Sequence, residues 1–357
     1  MDPATLIPSP DAIPVPWGYF QFLLILTFFL HLLFMNVMLG TSFIALTREL
    51  RSPTAAPPPC RDLASKLTHI IAFTVNFGVA PLLFLQVLYG QFIYTSSILM
   101  GAYWLSVVPL LILAYYGAYL YKMRHDLTAG SRRGTLALSL CLLLAIAFLF
   151  VNNISLMQNP QNWDAYFSQP DGTLLALADP ALPSRYLHFL AASAAAGGLF
   201  LAILAWFRLK KGEQGAAREL GAGMKWFTYA TVVEAGTGIP FLFSMPREVH
   251  QLFVGGALLP TLLFSAALVA TFLCLRYGAQ ERVWPATAAL AVTILCMILV
   301  RDLARQAYLA PYFHPADLAV SPQWSPFLLF LAILVAGGGA VAYMLKLAAK
   351  AGREVRP

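Results

Sequence analysis

Nine uninterrupted apolar stretches decide what this chain can fold into. They run over roughly 17–47, 66–98, 102–121, 134–156, 185–207, 223–245, 251–275, 284–303 and 325–345. Each reaches the about 20 residues that a helix needs to cross the hydrocarbon core of a bilayer. In lipid every backbone N–H and C=O must be satisfied within the protein, which leaves helices or closed barrels. The ten-residue alternation of barrel strands is not seen, so the stretches are read as helices. Of 357 residues, 59% are hydrophobic and 11% charged. Soluble domains carry about 25% charged residues, so a soluble reading lacks polar surface. The sequence predicts an all-α polytopic membrane protein, a single integral helical domain over 1–357.

Basic residues orient the bundle. They collect in alternate connections and in the tail, for example Arg48, Arg51, Arg61 and Lys66, then Lys122, Arg124, Arg132 and Arg133, and finally Lys346, Lys350, Arg353 and Arg356. The opposite side keeps only Arg185, Arg247, Arg301 and Arg305 of the 23 Lys and Arg residues. The positive-inside rule then gives nine spans with the N-terminus outside and the C-terminus inside. The net charge of +7 is a topology signal, and no nucleic-acid partner is implied. Residues 1–16 are Pro-rich without a positive start, which does not read as a cleavable signal. Trp17, Tyr19, Trp163, Tyr312 and Trp324 fall where interfacial aromatics are expected.

Motifs of soluble chemistry are lacking. Cys60, Cys141, Cys274 and Cys296 form no CxxC or CxxCH, so no zinc site, disulfide framework or covalent haem follows. The three in spans read as packing residues. No repeat at solenoid period and no inverted repeat is evident. The connection around Pro53–Pro59 and the polar stretch 157–184 are too short to be domains.

Charged groups inside a bilayer are costly and mark function. His31 lies midway along the first span, His69 near the inner end of the second and His188 near the outer start of the fifth. Glu234 is mid-span in the sixth, His250 opens the seventh, and Arg301, Asp302 and Arg305 close the eighth; His125 and His314 belong to loops. Topology puts His188, His250, Arg301, Asp302 and Arg305 in one outer layer, with His31 somewhat deeper. Imidazoles facing across a bundle suit the axial positions of haem b, with arginines for its propionates. A packing or hydrogen-bonding role for each histidine stays open at this point, because one sequence does not show which helix faces converge.

At these histidines the sequence resembles subunit I of cytochrome bd-type terminal oxidases. The first span reads His31-Leu-Leu-Phe-Met-Asn-Val-Met-Leu-Gly40, and the fifth reads Tyr186-Leu-His188-Phe-Leu-Ala-Ala-Ser193 before Gly197 and Ala205-Trp206. Gly78-Val79-Ala80 with Gly90, Met157-Gln158-Asn159-Pro160, and Asp302-Leu-Ala-Arg305-Gln306 follow the family's order over about residues 17–310. The resemblance implies a bacterial-type inner-membrane, multi-pass subunit of a respiratory electron-transfer complex. It implies one to three haems b, with another haem type allowed at the His31 site. By resemblance His31 and His188 are iron ligands and Asp302 a ligand or neighbour of a third haem, with Arg301, Arg305 and Gln306 around it. A second, subunit II-like membrane subunit and a quinone or quinol are implied partners, besides membrane lipid. The outer ligand layer adds a periplasmic c-type cytochrome as a donor.

Departures from the family pattern sharpen the expectation. Gln86 stands where the family has a Glu, and the third span is apolar around Val107–Tyr115 where the family has acids. The quinol-binding loop shrinks to about Met245–His250, and the family's methionine ligand aligns near Phe253. His250, one turn earlier, is the expected replacement ligand of the His188 haem, with Met245 or no second ligand as the alternatives. Without third-span acids, electron relay with little dioxygen reduction is expected, Glu234 being the candidate proton carrier. Two other classes remain: a haem-poor structural or quinone-docking anchor subunit, and a secondary transporter whose sixth helix breaks at Gly236, Gly238 and Pro240.

Overall fold

The computed structural model describes residues 2–51, 58–123 and 129–354, without the side chains of 58–65, 129–130 and 351–354. Arg124, His125, Arg356 and most of the Pro53–Pro59 connection lie outside the described residues, as do the side chains of Cys60, Arg61 and Arg353. The helices are α1 (Trp17–Arg51), α2 (Pro58–Leu99), α3 (Gly101–Met123), α4 (Ala129–Gln158), α5 (Ala181–Lys210), α6 (Ala216–Ser244), α7 (Arg247–Gln251), α8 (Leu258–Ala279), α9 (Val283–Leu309) and α10 (Trp324–Glu354). Among the described residues there is no sheet; Ile13 and Val320 form one isolated bridge. Among the described residues, eight helices are long and apolar enough to cross a membrane. That makes the chain a multi-pass membrane protein. The ninth long helix, α6, has the length at 29 residues but carries charge near its start and Glu234 within.

The helices divide into two units. One packs α1 against α2 and α3 against α4; the other packs α5 against α6 and α8 against α9. Each has its own apolar core: Leu39, Leu67, Ile71, Ala118 and Leu140 in the first, and Ala202, Met224, Phe227, Cys274 and Ala286 in the second. The units meet where α1 and α5 run side by side. Gly40 and Gly197 touch backbone to backbone there, and a Cβ on either would run into the other helix. One turn earlier Ser193 Oγ donates to Asn36 Oδ1 at 2.8 Å. Lipid tails are as apolar as leucine, so close backbone approach and interhelical hydrogen bonds supply the association. Gly198 and Gly223 bring α5 and α6 together in the same way.

Three expectations change. The stretch 251–275 is not one helix: α7 ends in a wide turn over Leu252–Gly256, Gly255 has φ +103°, and Ala257 is extended before α8 begins. Positive φ at Gly255 is a conformation that side chains resist and glycine accepts. Helix α6 is not broken at Gly236, Gly238 or Pro240 but continues to Ser244. Trp163 is not an interfacial anchor; it is buried, its Nε1 donating to the Leu156 carbonyl at 2.8 Å. It sits with Ile13, Phe92, Phe313 and Leu318 in a core at one end of the bundle. Trp17, Tyr19 and Trp324 are exposed, as is Cys141, while Cys274 and Cys296 are buried.

The α1–α5 contact predicts a stability test. Gly40→Ala should destabilise the protein by about 1–3 kcal/mol, the usual cost of forcing volume into a packed core. Gly18→Ala, where nothing lies within 4 Å, should stay within about 0.5 kcal/mol. Unfolding by SDS titration in mixed micelles measures both.

Candidate functional site

Helix α1 delivers His31 to α2. Its Nδ1 lies 3.0 Å from the Thr74 carbonyl oxygen. A carbonyl only accepts, so Nδ1 carries the proton and Nε2 keeps the lone pair. The ring fills the space beside Gly78, where a Cβ would come 2.8 Å from Cε1. Phe28, one turn away, tilts against it at 6.3 Å.

Helix α5 delivers His188 to α6 in the same manner. Its Nδ1 lies 2.9 Å from the Glu234 carbonyl oxygen, which again fixes the proton on Nδ1. A Cβ on Gly238 would sit 3.3 Å from the ring, and Phe241 tilts over it at 6.0 Å. Both imidazoles are half-buried and oriented by a backbone carbonyl, which is how metal-binding histidines are held.

Arginines stand beside both rings. Arg301 places its guanidinium 4.4 Å from the Phe28 ring centroid. Arg185, one turn before His188, lies 5.5 Å from the Phe241 centroid and donates to Ser155 Oγ at 2.9 Å. Guanidinium groups over aromatic faces keep their charge in apolar surroundings and are suited to bidentate carboxylate pairing.

Asp302 is buried at the centre of a hydrogen-bonded group. Its Oδ2 accepts from Gln21 Nε2 at 2.7 Å and Gln306 Nε2 at 2.8 Å, and its Oδ1 pairs with Arg305. Arg305 also covers the ring of Tyr89 at 4.7 Å, which the irregular backbone of α2 at Tyr89 presents to it. The group ties α1, α2 and α9 together, and it holds both oxygens of the carboxylate.

The other expected residues lie apart. His250 turns its Nδ1 to the Met245 carbonyl at 3.2 Å and packs edge-on to the exposed Phe243 at 5.7 Å. Phe243 is two residues beyond the Phe241 that covers His188, and so projects from another side of α6. Met245 is buried with Val249, Phe253 and Tyr308, in a cluster against which Phe241 also packs. Gln86 is half-buried on α2. Glu234 is buried, and the Cys274 sulfur lies 3.7 Å from Thr293 Oγ1. Among the described residues no three His, Cys, Asp or Glu gather to hold a bare metal ion.

The structure is similar along its whole length to a chain of "The structure of bd oxidase from Geobacillus thermodenitrificans", with a TM-score of 0.68 and 15% identity, covering 100% of this chain and 99% of that one. The chain has a bd-oxidase fold. No family model and no curated protein matches the sequence. At that identity the likeness concerns the path of the chain; chemistry has to come from the residues.

Sequence reasoning found the two histidines but missed what holds them. Backbone carbonyls leave no mark in a sequence, so the acceptors at Thr74 and Glu234 had no signal. Arg185 had one, since it precedes His188 by three residues and shares its helix face. Gln21 as a partner of Asp302 had none.

The Asp302 group predicts a large effect on stability. Asp302→Ala would leave Arg305 buried without its counter-charge, a loss of about 3–5 kcal/mol. Gln21→Ala removes one hydrogen bond to the carboxylate and should cost about 1.5–3 kcal/mol. SDS unfolding separates the two.

Proposed function

We propose that this chain is a haem b-carrying membrane subunit of a bd-type electron-transfer complex. The observation that supports it is the pair of imidazoles at His31 and His188. Each is half-buried, and each turns Nδ1 to a neighbouring helix carbonyl so that Nε2 remains the ligating atom. A bare metal would need more ligands than either site gathers. A porphyrin brings four nitrogens and asks the protein for one or two axial ligands. The residues present therefore fit haem. Bound there, haem b supplies one-electron exchange at a potential set by its ligands and burial.

The chain's own groups have distinct tasks in this reading. His31 and His188 ligate. Arg301 and Arg185 stand beside Phe28 and Phe241 where they can pair propionates. Phe28 and Phe241 exclude water from the rings. For the second ligand of the His188 haem, the neighbourhood of Phe241 favours Met245 over His250. Asp302, held by Gln21, Arg305 and Gln306, acts as the counter-charge of the outer layer and a neighbour of any third haem. Gln86, half-buried on α2, is a further pocket residue.

Nine spans with the N-terminus outside, in a bacterial inner membrane, complete the reading. A second membrane subunit, quinol and a periplasmic c-type cytochrome are its proposed partners. Helix α10 is exposed over residues 328–350 and leans on the bundle where the half-buried Phe327 meets Tyr19 at 5.5 Å.

Pyridine haemochrome assay and reduced-minus-oxidised spectra of the purified protein test the proposal. At least one haem b per chain is expected; His188→Ala should lose a low-spin signal and His31→Ala a different one. An assembled protein without haem would end it. Met245→Ala should change the His188 signal more than His250→Ala does. With quinol or reduced cytochrome c as donor, cyanide-sensitive oxygen uptake should be weak. Sustained uptake abolished in Glu234→Gln would instead make dioxygen the acceptor and Glu234 its proton carrier.

A further inference from the structure

The two histidine sites are not merely similar. A shift of 157 residues carries Asn36 onto Ser193, the pair that hydrogen bonds across α1 and α5. The same shift carries His31 onto His188, Gly40 onto Gly197 and Arg51 onto Arg208. On the following helix Thr74 corresponds to Glu234 and Gly78 to Gly238, with the same four-residue step from carbonyl to glycine. At the α1–α5 contact, therefore, residues meet their own counterparts: Asn36 meets Ser193, and Gly40 meets Gly197. Self-complementary contact of this kind is the mark of a two-fold axis. The packing obeys it as well, since α1–α4 and α5, α6, α8, α9 pair in the same order, and α1 reaches α9 through Gln21–Asp302 as α5 reaches α4 through Arg185–Ser155.

We infer that Gly78 and Gly238, at equivalent places in the two four-helix units, are the positioning residues that seat His31 and His188. This rests on the haem reading only for what the imidazoles bind; the seats themselves are a property of the helix pairs. The carbonyl four residues before each glycine accepts the Nδ1 proton. On an α-helix residues i and i+4 lie one above the other, so the side chain at i+4 would stand where the imidazole must lie to reach that carbonyl. Glycine leaves the place open. An even number of helices per unit keeps both copies in the same orientation, so the axis runs along the membrane normal, as in parallel-repeat membrane proteins.

The clearances rank the two seats. A methyl on Gly78 would be 2.8 Å from the His31 ring, too close for the ring to stay. A methyl on Gly238 would be 3.3 Å from the His188 ring, which a small movement absorbs. Gly236, where nothing lies within 4 Å, is the matched control on α6 for the effect of alanine on a helix.

Purified full-length protein carrying Gly78→Ala, Gly238→Ala or Gly236→Ala is compared with wild type by low-temperature electron paramagnetic resonance, potentiometric titration and ¹⁵N NMR of labelled imidazoles. Signals are assigned with His31→Ala and His188→Ala. Gly78→Ala should abolish the His31 haem signal and the His31 Nδ1–H tautomer while leaving His188 unchanged. Gly238→Ala should keep the His188 haem but shift its resonance and midpoint potential, with His31 unchanged, and Gly236→Ala should match wild type. If both seat variants match Gly236→Ala, the inference is overturned. If wild type binds no haem, the functional reading falls, and the imidazole NMR alone decides the seats: selective loss of Nδ1–H in Gly78→Ala upholds them, and unchanged tautomers overturn them. Should Gly78→Ala not accumulate, the milder Gly238→Ala decides the outcome by the same measurements.

Discussion

Gly40 against Gly197 is the contact on which the arrangement depends. Two helices in lipid have no hydrophobic drive toward each other, so their approach depends on small residues and on a hydrogen bond satisfied across the gap. Asn36 and Ser193 supply that bond at 2.8 Å. Once α1 and α5 share this face, geometry fixes much of the rest. His31 and His188 lie five residues before Asn36 and Ser193, which at 3.6 residues per turn rotates them about 140° away from the shared face. Each therefore points to its own partner helix, α2 or α6, on opposite sides of a common wall.

Burying an imidazole is costly unless its polar atoms are satisfied. A helix offers only one kind of acceptor along its flank, the carbonyl already engaged in the helix, whose second lone pair remains usable. Both histidines take it. The choice has a chemical consequence, because it fixes the tautomer and leaves Nε2 basic. The arginines follow a related logic. Arg301, Arg185 and Arg305 each lie over an aromatic face, so the layer that holds them is also lined with rings.

Much of this was legible in the sequence, for physical reasons. Apolar runs of span length have few alternative meanings, so the long helices could be read from them. Intramembrane histidines stand out because so little else there is polar. What could not be read was relational. The irregular turn at Gly255 looks in sequence like a glycine pair inside an apolar run. Trp163 has the composition of an interfacial anchor and is instead covered by Ile13 and the segment around Phe313. The repeat is carried by a handful of positions, His31, Gly40 and Gly78 with their counterparts, and the intervening residues are interchangeable apolar ones that hide the period. Asp302 showed its charge but not that Gln21, distant in sequence, would occupy it.

Helix α3 bears on the chemistry through what surrounds it. Leu105, Val108, Ile112, Leu113 and Tyr116 are exposed, while its buried face is Ala114, Gly117, Ala118 and Tyr121 against α4. Ser139 Oγ donates to the Ala114 carbonyl at 2.8 Å across that face, so the α3–α4 contact is closed by small residues. An acid on the outward side would meet lipid at a cost of about 2.5–3.5 kcal/mol on lenient scales, and an acid on the inward side would displace this close packing. The lack of third-span acids is thus built into how α3 packs, and the buried carboxyls Glu49, Glu234 and Asp302 lie on α1, α6 and α9. In the proposed reading, electron exchange at His31 and His188 would need no group on α3. Protons in quantity would need a chain of titratable side chains or water. In a haem-carrying subunit that asymmetry favours electron relay over dioxygen reduction, and Glu234, a carboxyl buried deep in α6, is the group placed to tip the balance the other way.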